Sequence, residues 1–350
     1  MSVSAATRLV LVAAVVLATQ SSTVHAGDDS GGIVYAKRGS LWLRSDDGKG
    51  DSVELAALPA GKGPVTSIQV GRKLVNAVVE ADGSWYWIPL KSKRKPRKLG
   101  CTGSAQLSPN GRCIICAGKP GQALLYILGP KLREMSLPFG DGPFGFAGSD
   151  RLAVVRKTGV WTTNPTGKKR RRLSPHTPSK GILIAPNGKR AVGGYDADSP
   201  GLFAFRLDGK AVRRKLLSEG TARAWSQDSK WLLIEQEKAA CVVRGVGGQY
   251  KCWNKYRAGA LSGDGSKIYL LKTEADRTNI YLAPTAGARA AGARIILKST
   301  HQAAAWTPHR PKPAKAKEDS QPATKKPAAK SPGKRNKPAA KSKGKKPKKK

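Results

Sequence analysis

Apolar residues along this chain come in short runs broken by turn-forming segments, and no window shows the three-to-four-residue spacing of an amphipathic helix. Five turn segments line up: "SPNGR" at Ser108, "AGSDR" at Ala147, "APNGK" at Ala185, "SQDSK" at Ser226 and "SGDGS" at Ser262. Their fourth residues, Gly111, Asp150, Gly188, Ser229 and Gly265, recur at roughly 40-residue intervals. A short run precedes each ("AQL", "FGF", "ILI", "RAW", "GAL") and a β-rich run follows ("CIIC", "LAVV", "AVGG", "WLLI", "IYLL"). That pattern predicts a repeated hairpin with an Asn-Gly or Asp-Gly type of turn.

A third strand follows in each unit, as in "SWYWIPL" and "GLFAFRL", then a Gly-containing turn and a last strand, as in "LDGKAVRRKLL". Four strands in such a unit make a propeller blade. Units open near Val65, Ser104, Phe144, Gly181, Ala222 and Gly259, and an incomplete first unit runs from Gly32 to Ala57. Its missing inner strand is supplied by "QAAAWTP", Gln302 to Pro308, which copies "ARAWSQ" of Ala222 to Gln227. The expected fold is an all-β propeller of seven four-stranded blades closed by the C-terminal strand, which leaves no inner edge unpaired. Six blades is the alternative if the unit around Gly145 is not a blade.

"LSPNGRCIICAG", "IAPNGKRAVGGY" and "AWSQDSKWLLIE", each followed by an "IYL"-like and then a "GKKRRRLS"-like strand, resemble the repeats of the TolB-like (WD40-like) propellers. The resemblance spans Gly32 to Trp306 and implies the fold. It leaves function open, because that repeat serves translocation partners, peptidase propeller domains and other exported proteins. The chain has no room for the N-terminal α/β domain of TolB-like proteins.

Charge narrows the partners. The formal net charge is +41, which makes a polyanion the first expectation. From Pro308 onward there are 17 Lys and Arg against Glu318 and Asp319. This Lys, Ala and Pro segment, residues 308–350, resembles linker-histone tails and has no aromatic or β-branched aliphatic residue to fold around, so it is expected to be disordered. Elsewhere the basic residues gather in "KSKRKPRKL", "KKRRRL" and "KAVRRKLL", which the repeat assigns to the outermost strands of their blades. Lysine-rich edges block edge-to-edge association. Their uniform sign also makes polyanion-binding candidates of Lys93, Arg94, Lys95, Lys168, Lys169, Arg170, Arg171, Arg172, Arg213, Arg214 and Lys215, together with Lys345, Lys346, Lys348, Lys349 and Lys350 of the tail. Within this reading Leu173 is the inward-packing match of Leu99 and Leu217.

The N-terminus reads as a secretory leader: Arg8, the apolar "LVLVAAVVLA" from Leu9 to Ala18, and small residues before cleavage after Ala26. Neither this run nor any later one has the length of a membrane-spanning helix. The domain plan is a leader over residues 1–26, a propeller over 27–307 and a tail over 308–350, exported to a periplasmic or extracellular location.

Five cysteines in an exported chain point to disulfides, with one cysteine left over. Cys241 and Cys252 flank a hairpin and are expected to bridge. Residues three apart in a strand point to opposite faces and lie too far apart to join, so "CIIC" is no redox pair. Cys101 is expected to reach Cys116, with Cys113 as the alternative partner.

Chemistry is sparse. His25, His176, His301 and His309 stand singly without metal-ligand spacing; "YDADSPG" at Tyr195 lacks the remainder of a calcium loop; no nucleophile elbow or phosphate-binding glycine loop occurs. The eight tryptophans recur at strand positions suited to packing between blades. The expectation is a non-enzymatic exported scaffold, without cofactor, that binds a protein or the cell envelope, its polycationic tail anchoring it to an anionic polymer or membrane surface. The alternative is a sequence-nonspecific nucleic-acid-binding protein that uses the tail and the basic edges.

Overall fold

Three of the five turn segments hold their hairpins through a serine. Ser108, Ser226 and Ser262 donate to the side-chain oxygen two residues on, in Asn110, Asp228 and Asp264, at 2.8, 2.5 and 2.7 Å. Each also accepts, at 2.9 Å, the backbone N–H five residues on. The connection is thus a five-residue loop, such as Ser108–Arg112, whose fourth residue takes a left-handed backbone: φ is +70° at Gly111, +68° at Gly188, +63° at Ser229 and +72° at Gly265. Neighbouring loops are joined in turn, Asn187 N–H to Ser229 Oγ at 3.0 Å and Asp228 N–H to Gly263 O at 3.3 Å.

The computed structural model describes residues 31–308 apart from 60–63, 93, 138–142, 149–150, 165–167, 196–199, 246–249, 276, 287–291 and 299–302. These residues belong to the first of two compact units, Met1–Lys312; the second, Pro313–Lys350, lies outside them. The expected leader and all but the first residue of the expected tail are therefore outside the described residues.

Every described strand belongs to one of seven four-stranded antiparallel sheets. Six are sequential: Val65–Lys98, Ala105–Leu137, Phe144–Ser174, Lys180–Leu217, Thr221–Asn254 and Arg257–Leu297 are blades two to seven. Blade one combines three strands of Gly32–Ala57 with the C-terminal strand Ala304–Thr307 on its inner edge. The count is seven, and the closing strand is the one the sequence predicts.

Seven apolar clusters, one at each junction between blades, hold the ring. In blade six, Leu232 and Ile234 point to blade five while Leu233 points to blade seven. Both faces of a blade are buried, which explains why its central strands read as continuous apolar runs instead of alternating. The seam between blades seven and one adds a charge. Asp46, fully buried, accepts from Gly31 N–H and Lys267 Nζ, both at 3.2 Å.

Outer strands carry a device the sequence pattern does not show. In blades one, four, five and seven the third and fourth strands slip register at one residue, a β-bulge. The extra residue is Leu55, Leu173, Leu216 or Ile296, and each is half-buried against the cluster shared with the next blade. A bulge re-aims a side chain in this way. It also corrects the register: Leu173 is the bulged residue, matching Leu216, and the position held by Leu99 and Leu217 is taken in blade four by buried Ser174. A one-residue shift exchanges the faces of a strand.

Blade six has no such bulge. Its third and fourth strands stay in register, and Cys241 faces Cys252 in a disulfide with Cα atoms 4.1 Å apart. The second disulfide joins Cys101 to Cys116, Cα atoms 5.6 Å apart, and Cys113 stands outside both bridges.

Candidate functional site

Two glutamines of the inner strands hold neighbouring blades together. Gln69 donates to Ala105 O at 2.8 Å and accepts Leu107 N–H at 2.7 Å. Gln106 reaches Phe144 O and Ile182 O, both at 3.3 Å. The seven inner strands contain no Asp, Glu or His, and among the described residues no group of three or more metal-ligating side chains converges.

The basic runs of the sequence lie on the circumference, while the inner strands carry Lys180, Arg223 and Arg257 singly. "KSKRKPRKL" enters the outer strand only at Arg97–Lys98. Pro96 has no N–H to donate to a ladder, and the chain before it departs from the sheet. Arg94 there donates to Gly129 O (3.1 Å) and Pro130 O (2.7 Å) of blade three, while Lys95 stays exposed. Lys93 and the tail lysines Lys345, Lys346, Lys348, Lys349 and Lys350 lie outside the described residues.

In blade four the strand is Arg171–Ser174, so Lys168, Lys169 and Arg170 precede it, and Lys169 adopts φ +55°. All of Lys168 to Arg172 are exposed. Arg171 pairs with Thr162 and Arg172 with Trp161, which sends these two charges to opposite faces of the blade.

Blade five presents Arg213, Arg214 and Lys215, all exposed, on the strand Arg213–Leu217. Arg213 and Lys215 lie opposite Phe205 and Phe203, and Arg214 opposite Ala204. The Arg213 guanidinium sits 4.8 Å from the ring centre of Tyr195 and 4.7 Å from that of Phe203, a cation–π arrangement. His176, its ring 5.1 Å from Phe205, packs beside it. Burial lowers the pKa of His176, a bond to the backbone of Val212 opposes this, and Arg213 adds to the lowering. Burial raises the pKa of Tyr195 against the pull of Arg213.

Sequence reasoning missed Lys189, Arg190 and Arg206 of blade five, which stand at the end of the blade that carries its first-to-second and third-to-fourth strand connections. Arg190 and Arg206 are Cα partners across those two strands. No run of basic residues marks them. The available signal is the repeat alignment, in which blade two has Asn76 and Pro89 at the same positions.

No protein-family model matches the chain, and no curated protein matches it. Solved structures match its shape. Acinetobacter baumannii TolB is 15% identical, with a TM-score of 0.49, over 80% of this chain and 67% of that one. Hydrazine synthase of Kuenenia stuttgartiensis is 11% identical, TM-score 0.47, over 64% and 78%. Kluyveromyces lactis Hsv2 is 10% identical, TM-score 0.49, over 78% and 96%. The likeness concerns the fold alone, as expected of an architecture that hosts unrelated activities.

Proposed function

We propose that the molecule is a non-enzymatic exported scaffold: the propeller offers a rigid surface to a protein or cell-envelope partner, and the Lys-rich residues 308–350 anchor it electrostatically to anionic surfaces. The observation that carries this reading is where the charge lies. On the outer strands of blades two, four and five, Arg97, Lys98, Arg171, Arg172, Arg213, Arg214 and Lys215 are exposed and include no carboxylate. An edge needs only charge of either sign to resist pairing; a single sign around several blades suits a polyanionic surface as well.

Two observations support the rest. Paired cysteines persist in oxidising compartments, and four of the five form bridges here. Among the described residues no helix is long and apolar enough to cross a membrane, so attachment would rest on surface charge.

The test is retention on envelope vesicles of the whole chain and of a chain ending at Pro308. The last paired strand ends at Thr307, so this truncation leaves every described strand in place. The whole chain should be retained at low salt and released as salt rises. Equal retention of both chains would remove the anchor. Stronger retention on duplex DNA than on vesicles would transfer the reading to nucleic acid.

A further inference from the structure

Blades two and five each have a basic recess at the same place in the repeat, where the outer strand meets the following blade. In blade two Trp87, opposite Arg97, is one wall of a recess of about 420 Å³ shared with Arg94, Lys95, Pro130 and Leu132, and its indole N–H donates to Asn76 Oδ1 at 2.9 Å. Blade five replaces Trp87 by Ala204, Arg97 by Arg214, Asn76 by Arg190 and Pro89 by Arg206. A methyl group stands where the indole stood, and guanidinium groups take the neighbouring positions. The blade-five recess, of about 340 Å³, is framed by Arg190, Arg206, Arg214 and Lys189, with Ala204, Phe205 and Val212 also on its lining.

This arrangement is costly when empty of anions. Like charges directly opposed across a strand pair repel, yet Arg190 faces Arg206. Asp208 meets only the Nε edge of Arg206, at 2.7 Å. Among the described residues neither Arg190 nor Arg214 has a carboxylate within ion-pair distance. Gly245 of blade six lies beside Arg190: a β-carbon there would stand 3.5 Å from Arg190 Nη1, an ordinary van der Waals contact.

From this we infer that the blade-five recess is a discrete site for a phosphate monoester. Guanidinium forks match two oxygens of a phosphate at once, which an ammonium cannot do. The three forks project from successive strands of one sheet, Arg190 opposite Arg206 and Arg214 opposite Ala204. A dianionic phosphate offsets two of the three positive charges that Asp208 leaves among Lys189, Arg190, Arg206 and Arg214, while Val212, 66% exposed, offers apolar surface to the carbon body of the ester. The site does not depend on the tail or on the anchor reading, since it is built wholly from blade five and one glycine of blade six.

The test uses the full chain at about 150 mM salt, where diffuse attraction is screened over roughly 8 Å. Calorimetry with glucose 6-phosphate, and co-sedimentation with phosphatidylcholine vesicles containing phosphatidic acid, separate a soluble ester from a lipid headgroup. One or both probes should bind saturably. R190Q/R214Q should weaken that binding at least tenfold, and R190K/R214K, which keeps the charge and loses the fork, should weaken it several-fold while remaining folded by circular dichroism. R171Q/R213Q removes the same charge from outside the recess lining, Arg171 on blade four and Arg213 on the other face of the blade-five outer strand, and should change binding less than twofold. Loss as large in R171Q/R213Q as in R190Q/R214Q, undiminished binding in R190K/R214K, or no saturable binding of either probe would overturn the site. The tail is present in every arm, so failure here leaves the anchor reading untouched.

Discussion

Ile33 and Trp306 are Cα partners in the one sheet built from both ends of the ring. The Trp306 ring is also wedged between two glycines: a β-carbon at Gly31 or Gly263 would come within 2.6 Å of it. Closure therefore rests on four residues of strand, Ala304–Thr307, and one indole. Trp306→Ala should cost about 3 kcal/mol, the low end for truncating a large aromatic, because the ring is only partly buried. Thermal melting measures the loss, and gel filtration should show that the opened inner edge of blade one now associates.

Gly265 tests the loop geometry. Its φ of +72° disfavours a side chain, and a β-carbon would fall 2.1 Å from Cδ1 of Trp231 in the adjacent blade. Gly209 has φ +87° with nothing within 4 Å. Gly209→Ala should cost about 1 kcal/mol for backbone strain alone, and Gly265→Ala clearly more, since the indole must move. Equal denaturation midpoints would contradict the contact.

The two bridges close loops of similar length, Cys101 to Cys116 and Cys241 to Cys252. Each double serine variant should lose about 3 kcal/mol by the chain-entropy account. Cys113→Ser should leave non-reducing peptide maps of both bridges unchanged, which mass spectrometry reads directly.

His176 makes stability depend on pH. Its folded pKa lies below the ordinary 6.5, so the unfolded chain takes up a proton first as pH falls. Its contribution is whole above pH 6.5 and declines below it, through the lowered folded value. The melting temperature should fall between pH 7 and pH 5, and His176→Phe, which keeps a ring against Phe205, should flatten that part of the profile. A slope unchanged by the substitution would show that other groups cause it.

The fold was legible because each blade repeats one loop. "SPNGR", "APNGK" and "SGDGS" expose the periodicity, and "QAAAWTP" reveals the closing strand by its likeness to "ARAWSQ". The pairing of Cys241 with Cys252 followed from hairpin register. Bulges were not legible. Leu173 and Leu216 follow basic runs as ordinary strand residues would, and only the slip in pairing shows which one is inserted. The blade-five recess was hidden for another reason. Arg190, Arg206 and Arg214 are separate in sequence and come together only across the strands of the blade.

The central claim is that charge on the ring and charge in the tail act together on an anionic surface. It is tested most directly by the slope of log affinity against log salt for vesicles rich in phosphatidylglycerol, measured for the whole chain, the chain ending at Pro308, and R171Q/R172Q/R213Q/K215Q in the whole chain. The account predicts a steep negative slope for the whole chain, a clearly shallower one after truncation, and a smaller reduction in the edge variant. A slope unaffected by either change would contradict it.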